Sequence, residues 1–598
     1  MAKELPKRSE VKVEDTWKVE DIYPTVQDWE ADLAKAEKLA DELAGYEGKL
    51  NTADNVYAAA KLEEEIEYIA SRTFGYASRV GDVDTGNAEN QKLVMTVRSK
   101  YVRISEKLSF IDPELLALPD GSIDKFCEEK PELEYYRRAL NEKLRFKAHM
   151  LSPEMEKLLA SAGEVMSTAS NTFSMFNNAD LVFPEITDEN GEKVRLTHGR
   201  YIPFLESQDR RVRKEAFKAM YDTYASYKNT LAAVYNGQVK AHIFSARARK
   251  YNSCLEAAVD RNNVPKEVYF NLIEAVHQNM DKMYRYVRLR KKLLGVDELH
   301  MYDNAVPLVK DVDVNIPFEE AKKTVYEALA PLGDDYRAIL KEGFENRWID
   351  VYENEGKRSG AYSAGIPGTH PFVLLNHSGT LDSMFTLAHE MGHALHSYHS
   401  FKNQNFVDAD YVIFVAEVAS TCNEVLLVKH LLSKTTDKAQ RAYLINHFLD
   451  SFKSTVYRQT MFAEFELKTH EMAERGESLT PDVLKKLYYD LNKLYFGEDM
   501  CVDEDIAMEW ARIPHFYYNF YVYQYATGFS AAVALAERIL SLGEPAVADY
   551  KKFLSGGCSK PPIELLKIAG VDMSTAEPVN AGLKLFGELL DEMEKLYE

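Results

Sequence analysis

Cysteine is scarce in this chain: there are five in 598 residues, Cys127, Cys254, Cys422, Cys501 and Cys558. The number is odd, the positions are scattered, and no C-x-x-C pair occurs. A disulfide framework and a cysteine-rich zinc module are therefore excluded, and the usage suits a reducing compartment. No run approaches the roughly 18 consecutive apolar residues of a membrane span. The start, Met-Ala-Lys-Glu-Leu-Pro-Lys-Arg, has no apolar signal core. The cytoplasm is the expected location and no membrane partner is expected. Positive charge is also in deficit, with 73 Lys and Arg against 95 Asp and Glu, a net charge of −22. Such a surface repels phosphate backbones, so a nucleic-acid partner is not expected either. Low-complexity tracts, clean repeats and long linkers are missing as well.

What is present is mostly helical patterning. Residues 1–14 read as a charged, weakly ordered start. Residues 15–180 read as successive amphipathic helices, such as Val26 to Leu43 and Val56 to Val80. Val182 to Leu196 reads as a hairpin, with Asn190-Gly191 at its turn. Helical patterning resumes near Asp209 and continues past Leu294. The main strand signals lie at 350–376, where Tyr362-Ser-Ala-Gly-Ile and Phe372-Val-Leu-Leu are expected to form a small sheet. The length alone suggests about four domain-sized units.

Immediately after those strands comes His389-Glu390-Met391-Gly392-His393, an H-E-x-x-H motif. On a helix, residues i and i+4 lie one turn apart on nearly the same face, so both imidazoles can grip one ion. Glu390 projects beside them and can reach a water on that ion. This pattern suits Zn²⁺ with an open coordination position and a carboxylate general base. No proline occurs between Pro371 and Pro481, so the surrounding segment can stay helical. Gly392 costs about 1 kcal/mol relative to alanine in a helix interior. Its missing side chain is compatible with close approach by a substrate or a second helix.

A catalytic zinc needs a third protein ligand. His399 has the spacing of the metzincin class, but that class breaks its helix with a glycine where this chain has His396. On an unbroken helix His399 points about 240° away from His393, and His396 lies about 10 Å along the axis from His389. The third ligand is therefore expected from another segment. Glu417 is the best candidate, in a helical stretch with Ile413 and Phe414 on its own face. Glu424, seven residues on, shares that face and could orient a ligand imidazole from behind.

The chain resembles the M3 family of zinc oligopeptidases, in its oligoendopeptidase F branch. The resemblance rests on H-E-x-G-H at 389–393, on Glu417 opening Glu-Val-Ala-Ser, on Gly356-Lys-Arg-Ser-Gly360-Ala361-Tyr362, and on Pro371-Phe-Val-Leu-Leu-Asn376. It is specific over roughly residues 200–590 and looser over 1–200. It implies a mainly α, two-lobed clamshell with a small sheet beside the active-site helix and a deep channel. Residues 1–200 would form a helical wall or lid, and residues 201–598 the catalytic region. One Zn²⁺ per chain would be held by His389, His393 and Glu417. Short unfolded peptides would be cut internally while folded proteins are excluded. The family's glycine-rich segment would place Gly360 and Ala361 against substrate, and an edge strand there could hold a peptide main chain by added pairing.

The second chemical cluster is Ile513-Pro-His515-Phe-Tyr-Tyr518-Asn-Phe-Tyr521-Val-Tyr523-Gln-Tyr525, with five tyrosines in nine residues. If helical, Tyr518, Tyr521 and Tyr525 share one face, and His515 extends it upstream. Tyr O–H and His N–H groups can stabilise negative charge on a carbonyl oxygen, and the resemblance implies that His515 and one tyrosine do so. Tyr525 is favoured and Tyr518 is next. Two alternatives stay open: a zinc carboxypeptidase of the helical H-E-x-x-H type, and a peptide-binding helical scaffold with a vestigial metal site.

Overall fold

The computed structural model describes residues 4–309 and 315–598. Most of these residues are helical, and strands are few and short. The chain divides into two compact units. One comprises Met1–Met150, Val314–His430 and Leu535–Val571; the other comprises Leu151–Asp313, Leu431–Ala534 and Asp572–Glu598. Among the described residues no helix is long and apolar enough to cross a membrane.

In the first unit the amphipathic pattern folds as expected. The helix Val26–Ala44 starts at Thr25, which forms a capping box with Asp28, and it buries Trp29, Leu33, Ala36, Ala40 and Leu43. That spacing of three and four makes one continuous stripe. The stripe packs on the helix Ala53–Asp82, and the Trp29 indole donates to the Thr73 carbonyl at 2.9 Å. Residues 4–14 depart from the weakly ordered start expected, because they are docked rather than loose, while residues 1–3 of that stretch lie outside the described residues. Arg8 donates to Asp350 at 3.0 Å, and the Glu355 amide donates to the Pro6 carbonyl at 2.9 Å. The reason is electrostatic. The Asp350 side chain is fully buried and needs cations beside it, and it takes Lys357 at 2.8 Å as well as Arg8.

The expected sheet forms in the same unit. Tyr362–Ala364 runs antiparallel to Phe372–Leu374, with Tyr362 opposite Leu374 and Ala364 opposite Phe372. Ile349–Asp350 adds a parallel strand on the far side, so Tyr362–Ala364 is an edge. This sheet leans on the long helix Leu381–Asn403. Gly365 permits the contact: a Cβ there would lie 2.4 Å from the Phe401 ring and 2.8 Å from Ser397 Cβ.

In the second unit the hairpin pairs Glu185–Thr187 with Lys193–Arg195, closed by a turn through Asp188–Gly191. Its helices include Arg210–Ala225, Lys228–Ala248, Arg458–Glu474 and Pro481–Phe496. A short parallel pair, Leu299–His300 with Met500–Cys501, sets His300 opposite Cys501.

Candidate metal centre

The helix Leu381–Asn403 is capped by Thr380, whose hydroxyl accepts from the Ser383 amide at 3.1 Å. It runs unbroken through the H-E-x-x-H segment and past His399. The helix Ile413–Lys434 packs against it at Gly392. A Cβ on Gly392 would lie 2.5 Å from Ser420 Cα and 2.8 Å from both the Ala419 oxygen and the Ser420 nitrogen. These are backbone atoms, so only glycine allows the two helices this close. Asn423 stitches the same contact. Its amide donates to the buried Ala388 carbonyl at 3.1 Å, and the Tyr336 hydroxyl donates to its oxygen at 3.2 Å.

Three donor atoms converge as a result. His389 Nε2 and His393 Nε2 are 3.2 Å apart, and Glu417 Oε2 lies 3.2 Å from the first and 3.4 Å from the second. Ligands in a tetrahedron with bonds of about 2.0–2.1 Å stand about 3.3–3.4 Å from one another. The donor set thus fits a zinc ion with three protein ligands and one open position. Glu424 Oε1 meets His389 Nδ1 at 2.8 Å, which places the ring proton there and turns Nε2 toward the other two donors. Burial opposes charge on His389, but its bonds to Glu417 and Glu424 outweigh that and lift it to about 10. Burial likewise opposes charge on Glu417, yet the two imidazoles hold its carboxyl well below the usual range. The cluster draws positive charge to the point where its three atoms meet.

Glu390 is 6% exposed, and its Oε2 has no hydrogen-bond partner among the described residues. Burial raises its pKa. A buried, uncommitted carboxylate oxygen with raised basicity is suited to take a proton. The other two histidines of the helix turn elsewhere. His396 stacks on Tyr411 with ring centroids 3.8 Å apart, and burial lowers it to about 3. His399 stacks on Tyr336 at 6.1 Å.

The tyrosine-rich segment departs from the helical stripe expected of it. Pro514–Tyr517 is a single 3₁₀ turn, Asn519 and Phe520 are left-handed with φ of 53° and 60°, and the next helix starts only at Tyr523. Two left-handed residues end any right-handed helix, at a cost of roughly 1–2 kcal/mol each. The rings gather nonetheless. His515 Nε2 lies 3.3 Å from the Tyr525 hydroxyl, and its ring sits 5.5 Å from Tyr518 and 6.1 Å from Tyr521. Tyr518 is 56% exposed, whereas Tyr517 and Tyr523 are buried packing residues.

A model of peptidase family M3 matches residues 204–585, and one described as oligopeptidase F matches residues 114–183. The chain belongs to peptidase family M3. Oligopeptidase PepF of Bacillus subtilis (strain 168) is 49% identical over 596 residues, which cover 100% of this chain and 89% of that protein. An oligoendopeptidase F homolog of Lactococcus lactis subsp. lactis (strain IL1403) is 42% identical over 593 residues, covering 99% and 98%. The solved structure of oligoendopeptidase-F from Enterococcus faecium is 39% identical with a TM-score of 0.74, over 95% of this chain and 98% of that one.

In this M3 peptidase, Gly360 and Ala361 lead into the edge strand. Gly360 has a φ of 82°, a conformation that favours glycine. Asn376 holds the approach in shape, its amide donating to the carbonyls of Arg358 at 3.0 Å and Gly360 at 2.8 Å. Sequence patterning assigns no such role to Asn376 or Asn423. The available signal is a lone asparagine beside an apolar run, Val-Leu-Leu-Asn in one case and Asn-Glu-Val-Leu-Leu in the other. An amide there can bond backbone groups that the neighbouring apolar side chains cannot.

Proposed function

We propose that this M3 peptidase is a zinc-dependent endopeptidase that hydrolyses short, unfolded oligopeptides in the cytoplasm. One observation carries the reading: three donor atoms stand 3.2–3.4 Å apart, and Glu390, adjacent to His389 on the same helix, keeps one carboxylate oxygen unpartnered among the described residues. His389, His393 and Glu417 would hold one Zn²⁺, and Glu424 orients His389. When bound, zinc supplies a Lewis acid that polarises a carbonyl and makes water more acidic. Glu390 takes a proton from the attacking water and returns it to the leaving amine. His515 and Tyr525 carry the oxyanion-donor role, with Tyr518 the next tyrosine in line. The free edge at Tyr362–Ala364, led by Gly360 and Ala361, supports binding through the peptide main chain, which is indifferent to most side chains.

The test is digestion of a defined peptide mixture followed by mass spectrometry, with added zinc and with a chelator. Zinc-dependent internal cuts are expected, including in peptides blocked at both ends. Loss of cleavage on blocking the C-terminus would instead favour a carboxypeptidase. Glu390→Gln should retain zinc and lose roughly 10²–10⁴ in kcat. Near-normal turnover in that zinc-replete variant would overturn the assignment of the base.

A further inference from the structure

The segment carrying His515 and Tyr525 contains the one adjacent pair of left-handed non-glycine residues among those described, Asn519 and Phe520. Phenylalanine has no side-chain polar group to offset that backbone geometry, so something outside the turn must hold it. Two helices of the same unit do so, one at each end of the turn. From Arg458–Glu474, the Glu466 carboxyl accepts the Phe520 amide at 2.6 Å. From Lys228–Ala248, the Gln238 amide donates to the Tyr517 carbonyl at 3.4 Å.

The two holding groups are themselves joined by a buried polar chain. His470 Nδ1 faces the Glu466 carbonyl at 2.8 Å, so it carries the proton. With His470 neutral, as its burial favours, Nε2 accepts from His242 Nδ1 at 3.1 Å. His242 Nε2 in turn accepts from the Gln238 amide at 2.8 Å. Burial keeps both rings neutral, lowering His242 to about 3 and His470 to about 4. The Phe520 ring closes the arrangement, buried with its centroid 4.6 Å from His470 and 5.6 Å from Tyr269.

We propose that Glu466 is a positioning residue for peptide hydrolysis: its buried carboxyl pins the left-handed Asn519–Phe520 turn and thereby aims His515 and Tyr525. Glu466 is 0% exposed, and its second oxygen has no partner among the described residues. Holding the turn is what accounts for an acid at this position, since burial costs it dearly and an apolar residue would pack at no such cost. Burial raises its pKa to about 8. At neutral pH the side chain is then mainly an uncharged acceptor, which glutamine reproduces.

The proposal rests on the donor role given to His515 and Tyr525, and the test separates the two. Steady-state kinetics on a fluorogenic peptide would be run alongside zinc analysis. Glu466→Met should lower kcat by roughly 10–100-fold with little change in KM and one zinc per chain, the usual cost of misaligning a group near the chemistry. Glu466→Gln should restore near-normal kcat. In a His515→Ala/Tyr525→Phe background, where both donors are already gone, Glu466→Met should add little further loss. Wild-type kcat in Glu466→Met, the same fold-loss in both backgrounds, or failure of glutamine to rescue would each overturn the proposal. Wild-type kcat in both His515→Ala and Tyr525→Phe would overturn the donor reading itself. If the methionine variant does not fold, Glu466→Asp retracts the acceptor by one methylene and carries the same expectations.

Discussion

Two groups among the described residues bring three metal-competent side chains together, His389–His393–Glu417 in one unit and His300–Cys501–Asp503 in the other. Their donor inventories look equally good, and the second even offers a thiol. The spacings differ. In the first group every separation is 3.2–3.4 Å, too long for a strong hydrogen bond and right for ligands sharing an ion. In the second, His300 Nδ1 and Asp503 Oδ1 are 2.8 Å apart, an ordinary hydrogen bond, and Asp503 Oδ2 is already taken by the Met301 amide at 3.0 Å. The first group is also backed by Glu424, while Cys501 is exposed. Proximity of the right residue types does not make a metal site. What distinguishes one is donor atoms held apart from each other and aimed at a common point.

Metal analysis separates the two groups most decisively. Glu417→Ala should lose both bound zinc and activity, falling to the uncatalysed background, whereas Cys501→Ala and His399→Ala should keep one zinc per chain and full kcat. Zinc lost with Cys501→Ala and kept with Glu417→Ala would reverse the roles of the two groups. Next in size is Glu424→Gln, which leaves all three donors in place but weakens the bond that orients His389. Zinc affinity should drop about 10–100-fold, read by competition with a chromogenic chelator. Gly392→Ala should follow, because its methyl group must push Ser420 and Ala419 away. A loss of about 1–3 kcal/mol in urea unfolding is expected, together with weaker zinc binding as Glu417 retreats. The smallest effect should come from Asp503→Asn. Losing part of its hydrogen bonding should cost about 1 kcal/mol of stability and change neither zinc content nor kcat.

Much of this architecture is legible in the order of residues. The stripe from Trp29 to Leu43, the Asn190-Gly191 hairpin and the pairing of 362–364 with 372–374 follow from local periodicity and turn chemistry. The turning of His399 away from the H-E-x-x-H face follows from counting residues on an unbroken helix. Other features are not legible because their causes lie far away in the chain. The docked start depends on a buried carboxylate more than 300 residues later. The tyrosines suggest a helical stripe because spacings of three and four look helical. That pattern cannot register two left-handed residues whose support comes from Glu466 and Gln238.

By itself the sequence determined which residues could bind and which could take a proton. A five-residue helical motif sets two imidazoles and a carboxylate on one turn whatever surrounds them, because 3.6 residues per turn is a local property of the backbone. Only the tertiary structure decided where Glu417 stands relative to those imidazoles. Its position depends on how near two helices can come, and that is set at Gly392 by the absence of a side chain against Ser420. Backbone approach is a pairwise, non-local quantity. The sequence records the glycine that permits it but not the partner it admits.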